Sequence, residues 1–230
     1  MAESLVSSFA IVVPATVLPI ALAATASYAF VFLSFRGRSE LFVATVALIA
    51  LPVQTAMIPL LATFANGAHL TMPLTDRTVT LVPDMDVNLG GAAAWLTQTG
   101  FALPFAIFLL HNAFSEVPRE FVDSARVDGA SHMDVLTRIV VPLSAPAIAA
   151  LGVLQFLWAW NEYLIPQVMM SGADPIHLPA TVRLASIVGE PSGAGPVAAA
   201  AVMAQAFVPL AVFVVLQRHI VRGLVRGSDG

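Results

Sequence analysis

The feature that most restricts how this chain can fold is the length of its uncharged, apolar runs. No charged residue occurs between Glu3 and Arg36. About 20 apolar residues are enough for a helix to cross the hydrocarbon core of a membrane. The chain is 58% hydrophobic and only 10% charged, whereas soluble domains are about 25% charged. We therefore predict an all-α, polytopic helical membrane protein.

Further apolar stretches divide the chain into about five predicted spans within a single transmembrane domain, residues 1–230. The spans are predicted at about 9–33, 41–64, 93–110, 143–165 and 197–216. Polar loops at 66–91 and 166–196 join spans on one side of the membrane. Prolines inside the spans predict kinked helices, since proline removes a backbone hydrogen bond.

The arginines predict the orientation. All ten basic residues are arginines, and basic residues concentrate in cytoplasmic loops. A cytoplasmic location for 35–40, 116–142 and the C-terminal tail leaves only Arg77 and Arg183 outside. Five spans then place the N-terminus outside. We expect a further span to precede residue 1, the alternative being a first helix that inserts by itself in the reverse sense.

One polar segment, residues 116–142, interrupts the apolar pattern, and we call it the elbow. It contains five of the fourteen acidic residues and three of the ten arginines. Pro118 suits the first turn of a helix. Phe121, Val122 and Ala125 then repeat at helical spacing, which predicts one apolar stripe on a charged helix.

A second helix is predicted to follow a turn inside the elbow. Gly129 interrupts the first pattern where a left-handed residue would end a helix. Ser131 followed by Asp134 predicts a capping box at the next helix start. The second apolar face continues to a proline, through Val135, Leu136, Ile139 and Pro142. Such an elbow between apolar segments is typical of a docking surface.

Polar residues inside the spans are candidates for a transport pathway. Glu162 lies near Trp158, Trp160 and Tyr163, so it can either end a helix at the membrane interface or line a pathway. Glutamines deeper in the spans can line a polar conduit or hydrogen-bond between helices. The candidate pathway residues are Gln54, Gln98, Gln155, Asn161 and Gln205.

Missing residue types exclude several kinds of chemistry. The chain has no cysteine, which excludes disulfides and thiolate metal sites. It has no lysine, so the ATP-binding P-loop GxxxxGK[ST] cannot be present. The five histidines show no metal-ligand spacing. Energy from ATP would have to come from a partner.

The elbow resembles the cytoplasmic loop of permease subunits of ATP-binding-cassette importers. That loop has the pattern Glu-Ala-Ala, three residues, Gly, nine residues and Ile-x-Leu-Pro. The matching positions are Asp123-Ser124-Ala125, Gly129 and Ile139-Val140-Val141-Pro142. The spacing agrees throughout, and the substituted residues keep similar size or charge. Segments 103–110, 158–164 and 216–224 resemble the carbohydrate importers, and 178–184 resembles members that import α-glucosides.

The resemblance implies a transmembrane permease subunit of an ATP-driven sugar importer, a family that usually has six spans. It implies a second permease subunit, a cytoplasmic ATPase dimer that binds ATP and Mg²⁺, and an extracytoplasmic sugar-binding protein. The chain itself would hold no cofactor and no metal, bind no nucleic acid and catalyse no reaction. Its place would be the lipid bilayer of the cytoplasmic (inner) membrane of a bacterium or archaeon, with a cytoplasmic C-terminus.

The same resemblance implies which residues couple to the ATPase. The first elbow helix would sit in a cleft of the ATPase, with Phe121, Val122 or Ala125 buried there and the carboxylates at the rim. The implied coupling residues are Glu120, Phe121, Asp123, Ser124, Ala125, Asp128, Gly129, Ile139 and Pro142.

Two other classes of function stay open at this point. An intramembrane enzyme would use Glu162, Asn161 and a histidine, although no clustered acid–base set is apparent. A membrane scaffold would only recruit a cytoplasmic partner through the elbow. The identity of the sugar does not follow from the sequence.

Overall fold

The apolar runs form helices, as predicted. The computed structural model of the protein describes residues 2–66, 68–71, 78–82, 90–189 and 195–226. In chain order the helices are α1 (Ala2–Phe32), α2 (Arg38–Ala47), α3 (Val53–Asn66), α4 (Gly90–Ser115), α5 (Arg119–Val127), α6 (His132–Val135), α7 (Val141–Leu143), α8 (Ala145–Asn161), α9 (Leu164–Met169), α10 (Ala180–Gly189) and α11 (Pro196–Arg226). A π turn, Leu136–Val140, joins α6 to α7, and 3₁₀ turns cover Leu48–Ala50 and Pro175–His177.

The structure contains a small antiparallel sheet that the all-α prediction did not include. Strands β1 (Ala68–Thr71) and β2 (Thr78–Val82) pair in the segment that we predicted as a polar loop. β2 reads TVTLV, and β-branched residues of this kind favour strands. The pattern is too short to stand out in a sequence dominated by helices.

Among the residues that the structure describes, three helices are long and apolar enough to cross a membrane: Glu3–Phe32, Gly90–Ser115 and Pro196–Val215. Two bent helix pairs also qualify. Arg38–Ala50 and Val53–Phe64 differ in direction by 100°, and His132–Leu143 and Ala145–Asn161 differ by 80°. The number reaches five only if each bent pair is one span, so the five-span division stays a prediction.

Prolines explain where both pairs bend. Leu51 and Pro52 separate the first pair, and a proline disfavours the helical conformation of the residue before it. Ser144 separates the second pair, between Pro142 and Pro146. Each proline also lacks the N–H that would continue the helical hydrogen bonds.

One compact unit comprises Met1–Pro14, Leu51–Gln98 and Trp160–Gln205. Its core contains Trp160, which is 2% exposed and lies 5.0 Å from Phe9 between ring centroids. The buried Ser8 Oγ accepts the backbone N–H of Ala180 at 2.9 Å. Ala180 is the first residue of α10, so Ser8 supplies a partner for an N–H that has none within its own helix.

A second compact unit comprises Ala15–Ala50, Thr99–Ala159 and Ala206–Gly230. Its apolar core joins α1, α4, α8 and the elbow helices. Ser27 Oγ donates to the Ile107 carbonyl oxygen at 3.0 Å, which adds a polar contact between α1 and α4. The fully buried residues Leu110, Phe114, Val135 and Leu151 belong to this core. The elbow therefore packs as part of the second unit and contributes residues to its core.

Candidate functional site

The first elbow helix, α5, turns one side into the core of its unit. Val122 is 2% exposed and belongs to the buried core, and Ala125 is half-buried against the same core. Phe121, in contrast, is 53% exposed. The expectation that all three would form one stripe facing the same surroundings is wrong, because Val122 and Ala125 pack in the core and Phe121 faces solvent. Val122 is occupied by the chain's own core and cannot insert into a partner.

The turn after α5 has the hydrogen bonds of a Schellman motif. The Ala130 N–H donates to the Ala125 carbonyl at 2.9 Å, and the Gly129 N–H donates to the Arg126 carbonyl at 3.1 Å. Gly129 has φ of +85°, a left-handed conformation that glycine adopts without the steric cost of a side chain. The prediction that Gly129 ends the helix is confirmed.

The capping box at the start of the second elbow helix is also confirmed. The Asp134 N–H donates to Ser131 Oγ at 3.2 Å, and the Ser131 N–H donates to Asp134 Oδ2 at 3.3 Å. The hydrogen bond from the Ser131 hydroxyl is the main cause that holds the pKa of the Asp134 carboxyl below its usual value. The charge of Arg138, whose Nη2 lies 3.4 Å from Asp134 Oδ1, acts in the same direction. The resulting stabilisation is present at neutral pH and is lost as pH falls through that lowered pKa.

The remaining predicted elbow residues divide between surface and core. Ile139 is half-buried and packs against the core of its unit. The exposed residues are mostly polar, with one aromatic ring among them, and they are Glu120, Phe121, Asp123, Ser124, Asp128, Gly129 and Pro142.

Two of the candidate pathway glutamines bond to neighbouring helices. Gln155, only 4% exposed, donates from Nε2 to the Ala15 carbonyl oxygen at 3.1 Å. In an α-helix the N–H of residue 19 would bond to that carbonyl, but residue 19 is proline and has no N–H. Gln155 therefore supplies the donor that Pro19 lacks, which supports the helix-contact interpretation.

The same arrangement recurs at Gln205. Its backbone carbonyl accepts Trp160 Nε1–H at 3.1 Å, and the residue four positions later is Pro209. The Gln205 side chain donates back to the Trp160 carbonyl at 3.4 Å. Both members of the pair are buried. The sequence signal for these contacts is a proline four residues after the carbonyl, and our sequence analysis did not use it.

The other pathway candidates differ from these two. Gln98 is 0% exposed, and neither polar atom of its amide has a partner among the described residues. Gln54 on α3 and Asn161 at the end of α8 are exposed. Gln98 is thus the candidate whose whole amide is unpaired in a buried position, whereas Gln205 has only its Oε1 unpaired.

Glu162 lies between the end of α8 and the start of α9. Its Oε1 accepts the backbone N–H groups of Leu164 at 2.9 Å and Ile165 at 3.2 Å. These are the first two residues of α9, whose N–H groups have no partner within the helix. Of the two interpretations of Glu162, the structure favours the role at a helix end.

Replacing Gln155 with leucine is expected to lower the free energy of unfolding by about 1–3 kcal/mol, because the buried Ala15 carbonyl loses its donor. In a Pro19→Ala background the helix regains the missing N–H, so the same change should cost much less. Equilibrium unfolding of the parent chain and of the two single variants and the double variant, each purified in detergent micelles, measures both costs. Gln54→Leu, at an exposed position, is the control. Equal costs of Gln155→Leu in the two backgrounds would contradict the pairing.

Comparison with known proteins agrees with this architecture. A family model for the binding-protein-dependent transport system inner membrane component matches residues 15–226. A chain in the crystal structure of a bacterial alginate ABC transporter, in complex with an alginate pentasaccharide-bound periplasmic protein, has a TM-score of 0.66 and 18% identity. The match covers 94% of this chain and 75% of that one. The two chains share a fold.

Curated relatives extend the match in sequence. The osmoprotective compounds uptake permease protein GgtD of Synechocystis sp. is 38% identical, over 99% of this chain and 70% of the relative. The alpha-glucoside transport system permease protein AglG of Rhizobium meliloti is 39% identical, over 98% of this chain and 56% of the relative. This chain therefore spans little more than half the length of AglG.

The family model covers nearly the whole chain, and the relatives agree with it. The chain belongs to the binding-protein-dependent transport system inner membrane component family.

Proposed function

We propose that this chain is a transmembrane permease subunit of an ATP-driven sugar importer of the inner membrane. The observation that carries the proposal is the construction of the elbow. One side of α5 is fixed in the core by Val122, and the other presents Phe121 and carboxylates to solvent. A helix held in this way can bind a cytoplasmic ATPase and pass on its movement.

The exposed side of α5 has the composition of a docking surface. Phe121 supplies an aromatic anchor of the kind that is enriched at the centre of interfaces. Glu120, Asp123 and Asp128 are exposed carboxylates on the same helix or at its end. Charged groups at such a rim steer and orient a partner more than they add to affinity. We propose that an ATPase subunit of an ATP-hydrolysing dimer receives Phe121 in a cleft bordered by basic groups.

The two ends of the turn make the elbow stiff enough to transmit force. The Schellman hydrogen bonds fix the end of α5, and the capping box fixes the start of α6. The second elbow helix continues through buried Val135, Leu136 and Val140 into the core. In the proposed importer, closure of the ATPase dimer shifts the elbow and the helices packed against it as one body.

Hydroxyl-rich sugars, α-glucosides in particular, are the proposed substrates. The names of AglG and of the trehalose transport system permease protein SugB of Mycobacterium tuberculosis, 31% identical, support this class. The relative GgtD is named for osmoprotective compounds. Gln98 is the proposed pathway residue, because an unpaired buried amide can donate to and accept from a sugar hydroxyl.

The remaining assignments are part of the same proposal. A second permease subunit completes the pathway, and an extracytoplasmic sugar-binding protein docks on the side of segments 66–91 and 166–196. The C-terminus lies in the cytoplasm, and residues 1–230 act as one permease domain with about five spans. The arginine distribution supports this orientation.

A transport assay tests the proposed function. The complex that co-purifies with this chain is reconstituted into proteoliposomes that enclose ATP on the side of the ATPase, and the sugar-binding protein is supplied outside. We expect ATP-dependent uptake of radiolabelled α-glucosides such as trehalose, and less uptake of matched β-glucosides. An ATPase that binds the chain while no solute moves would instead indicate a scaffold. Conversion of a solute by the chain alone would indicate an enzyme.

A further inference from the structure

A buried tyrosine joins the end of α1 to the second elbow helix. Tyr28 is 4% exposed and lies four residues before the end of α1. Its hydroxyl oxygen is 3.1 Å from Nδ1 of His132, the first residue of α6. The two rings meet nearly edge to face, with centroids 6.0 Å apart. A phenolic hydroxyl at a buried position requires a hydrogen-bond partner, and the imidazole supplies it.

His132 also contacts the first elbow helix. Arg126 Nη2 lies 2.8 Å from Nδ1 and 2.9 Å from Nε2 of the imidazole. A guanidinium only donates hydrogen bonds, so one imidazole nitrogen at most accepts from it, and the tautomer decides which. Tyr28, His132 and Arg126 thus connect α1, α6 and α5 through side chains.

A second polar contact joins α1 to the start of α5. Arg119 Nη2 donates to the Val31 carbonyl oxygen at 3.4 Å. Val31 is in the last turn of α1, where carbonyls lack partners within the helix and favour a cation. The first residue of each elbow helix, Arg119 in α5 and His132 in α6, therefore bonds to the C-terminal end of α1.

These hydrogen bonds fix the orientation of the packed helices, which apolar packing by itself does not fix. The core around Phe30, Val122 and Val135 is apolar, and apolar burial does not fix rotation or sliding of one helix on another. Hydrogen bonds at both helix starts fix the elbow to α1 in position and angle. α1 in turn contributes residues to both compact units of the chain.

We propose that α1 receives the displacement of the elbow, and that the Tyr28–His132 hydrogen bond is the positioning contact that makes the transfer efficient. This inference rests on the proposed function and adds to it a specific route from elbow to membrane helix. The contact determines how much transport each ATP produces, and it does not determine whether the ATPase binds.

Proteoliposomes holding the complete complex test this through the ratio of sugar moved to ATP hydrolysed. Tyr28→Phe removes only the hydroxyl and keeps the ring, and His132→Leu removes the polar partner. His132→Asn keeps a side-chain amide, which can donate or accept, near the position of Nδ1. The matched control is Thr25→Val, which removes a hydroxyl that bonds to Leu22 within α1.

We expect Tyr28→Phe and His132→Leu each to lower the ratio by about threefold to tenfold, which lies within the range found for residues that carry coupling between sites. The ratio should stay near that of the parent complex in His132→Asn and Thr25→Val, and the amount of bound ATPase should stay constant in all four. A variant that merely folds less well would lower uptake and hydrolysis together and leave the ratio unchanged.

A double-mutant cycle on unfolding of the purified chain measures the contact independently of transport. Non-additive effects of Tyr28→Phe and His132→Leu are expected. An unchanged ratio in Tyr28→Phe, or an equal fall in His132→Asn and His132→Leu, overturns the positioning role. A parent complex that moves no sugar refutes the proposed function, and the positioning role with it. If the two substitutions are non-additive in unfolding but the ratio of sugar moved to ATP hydrolysed is unchanged, the positioning role alone is refuted.

Discussion

Replacing Val122 with aspartate is expected to release the elbow from the core of its unit. The side chain is 2% exposed, and a buried carboxylate without a partner costs about 3–5 kcal/mol. The variant should insert in the membrane, since the change lies outside the apolar runs, but α5 should become accessible. Limited proteolysis at Arg119 and Arg126, followed with time, measures this, and cleavage should be much faster than in the parent chain.

The neighbouring residue provides the control for that prediction. Phe121 is 53% exposed, so Phe121→Asp should change the free energy of unfolding by no more than about 0.5 kcal/mol. Proteolysis should stay slow, whereas co-purification of the ATPase should fall sharply if Phe121 is the docking anchor. Rapid cleavage in Phe121→Asp, or slow cleavage in Val122→Asp, would show that the sides of α5 are assigned wrongly.

Replacing Gly129 with valine is expected to distort the elbow turn and to reduce ATPase binding strongly. A Cβ at this position meets nothing within 4 Å, but φ is +85°. The cost therefore comes from the backbone and is about 1–3 kcal/mol for a residue held in a left-handed conformation. Relief of that strain would break the Schellman hydrogen bonds and change the angle between α5 and α6. Pull-down of the ATPase by the purified chain measures the loss.

Gly37 is a matched control for strain. It has φ of +80° and open space around its Cβ position, but it lies just before α2 and outside the elbow. Gly37→Val should cost similar stability and leave ATPase binding intact. Gly129→Asn should retain most of the binding, because asparagine tolerates the left-handed conformation. Equal loss of binding in Gly37→Val and Gly129→Val would mean that general instability, and not the elbow geometry, is responsible.

The sequence predicted those parts of the fold that depend on neighbours along the chain. The capping box at Ser131 and Asp134 and the left-handed Gly129 were predictable, since each is determined within about one helical turn. Membrane-spanning helices were predictable because a lipid environment leaves the backbone few alternatives. The spacing of the elbow motif then indicated the family, which the family model confirms.

Features that depend on distant parts of the chain were not predictable in this way. The spacing predicted Phe121 and Val122 on one apolar stripe. Only the packing shows that Val122 is buried in the core and that Phe121 is exposed. The Gln155–Ala15 contact joins residues far apart in sequence. Its cause, the missing N–H of Pro19, was visible, yet the donor that compensates for it could only be identified in three dimensions.

The adjacency of buried Val122 and exposed Phe121 has a mechanical consequence for the proposed importer. A push from the ATPase enters one side of α5 and leaves through the other, so force crosses the helix and does not travel along it. The lever arm is then only the width of a helix, about 10 Å. Displacement is passed on without amplification, and the stroke of the membrane helices must be comparable to that of the ATPase cleft.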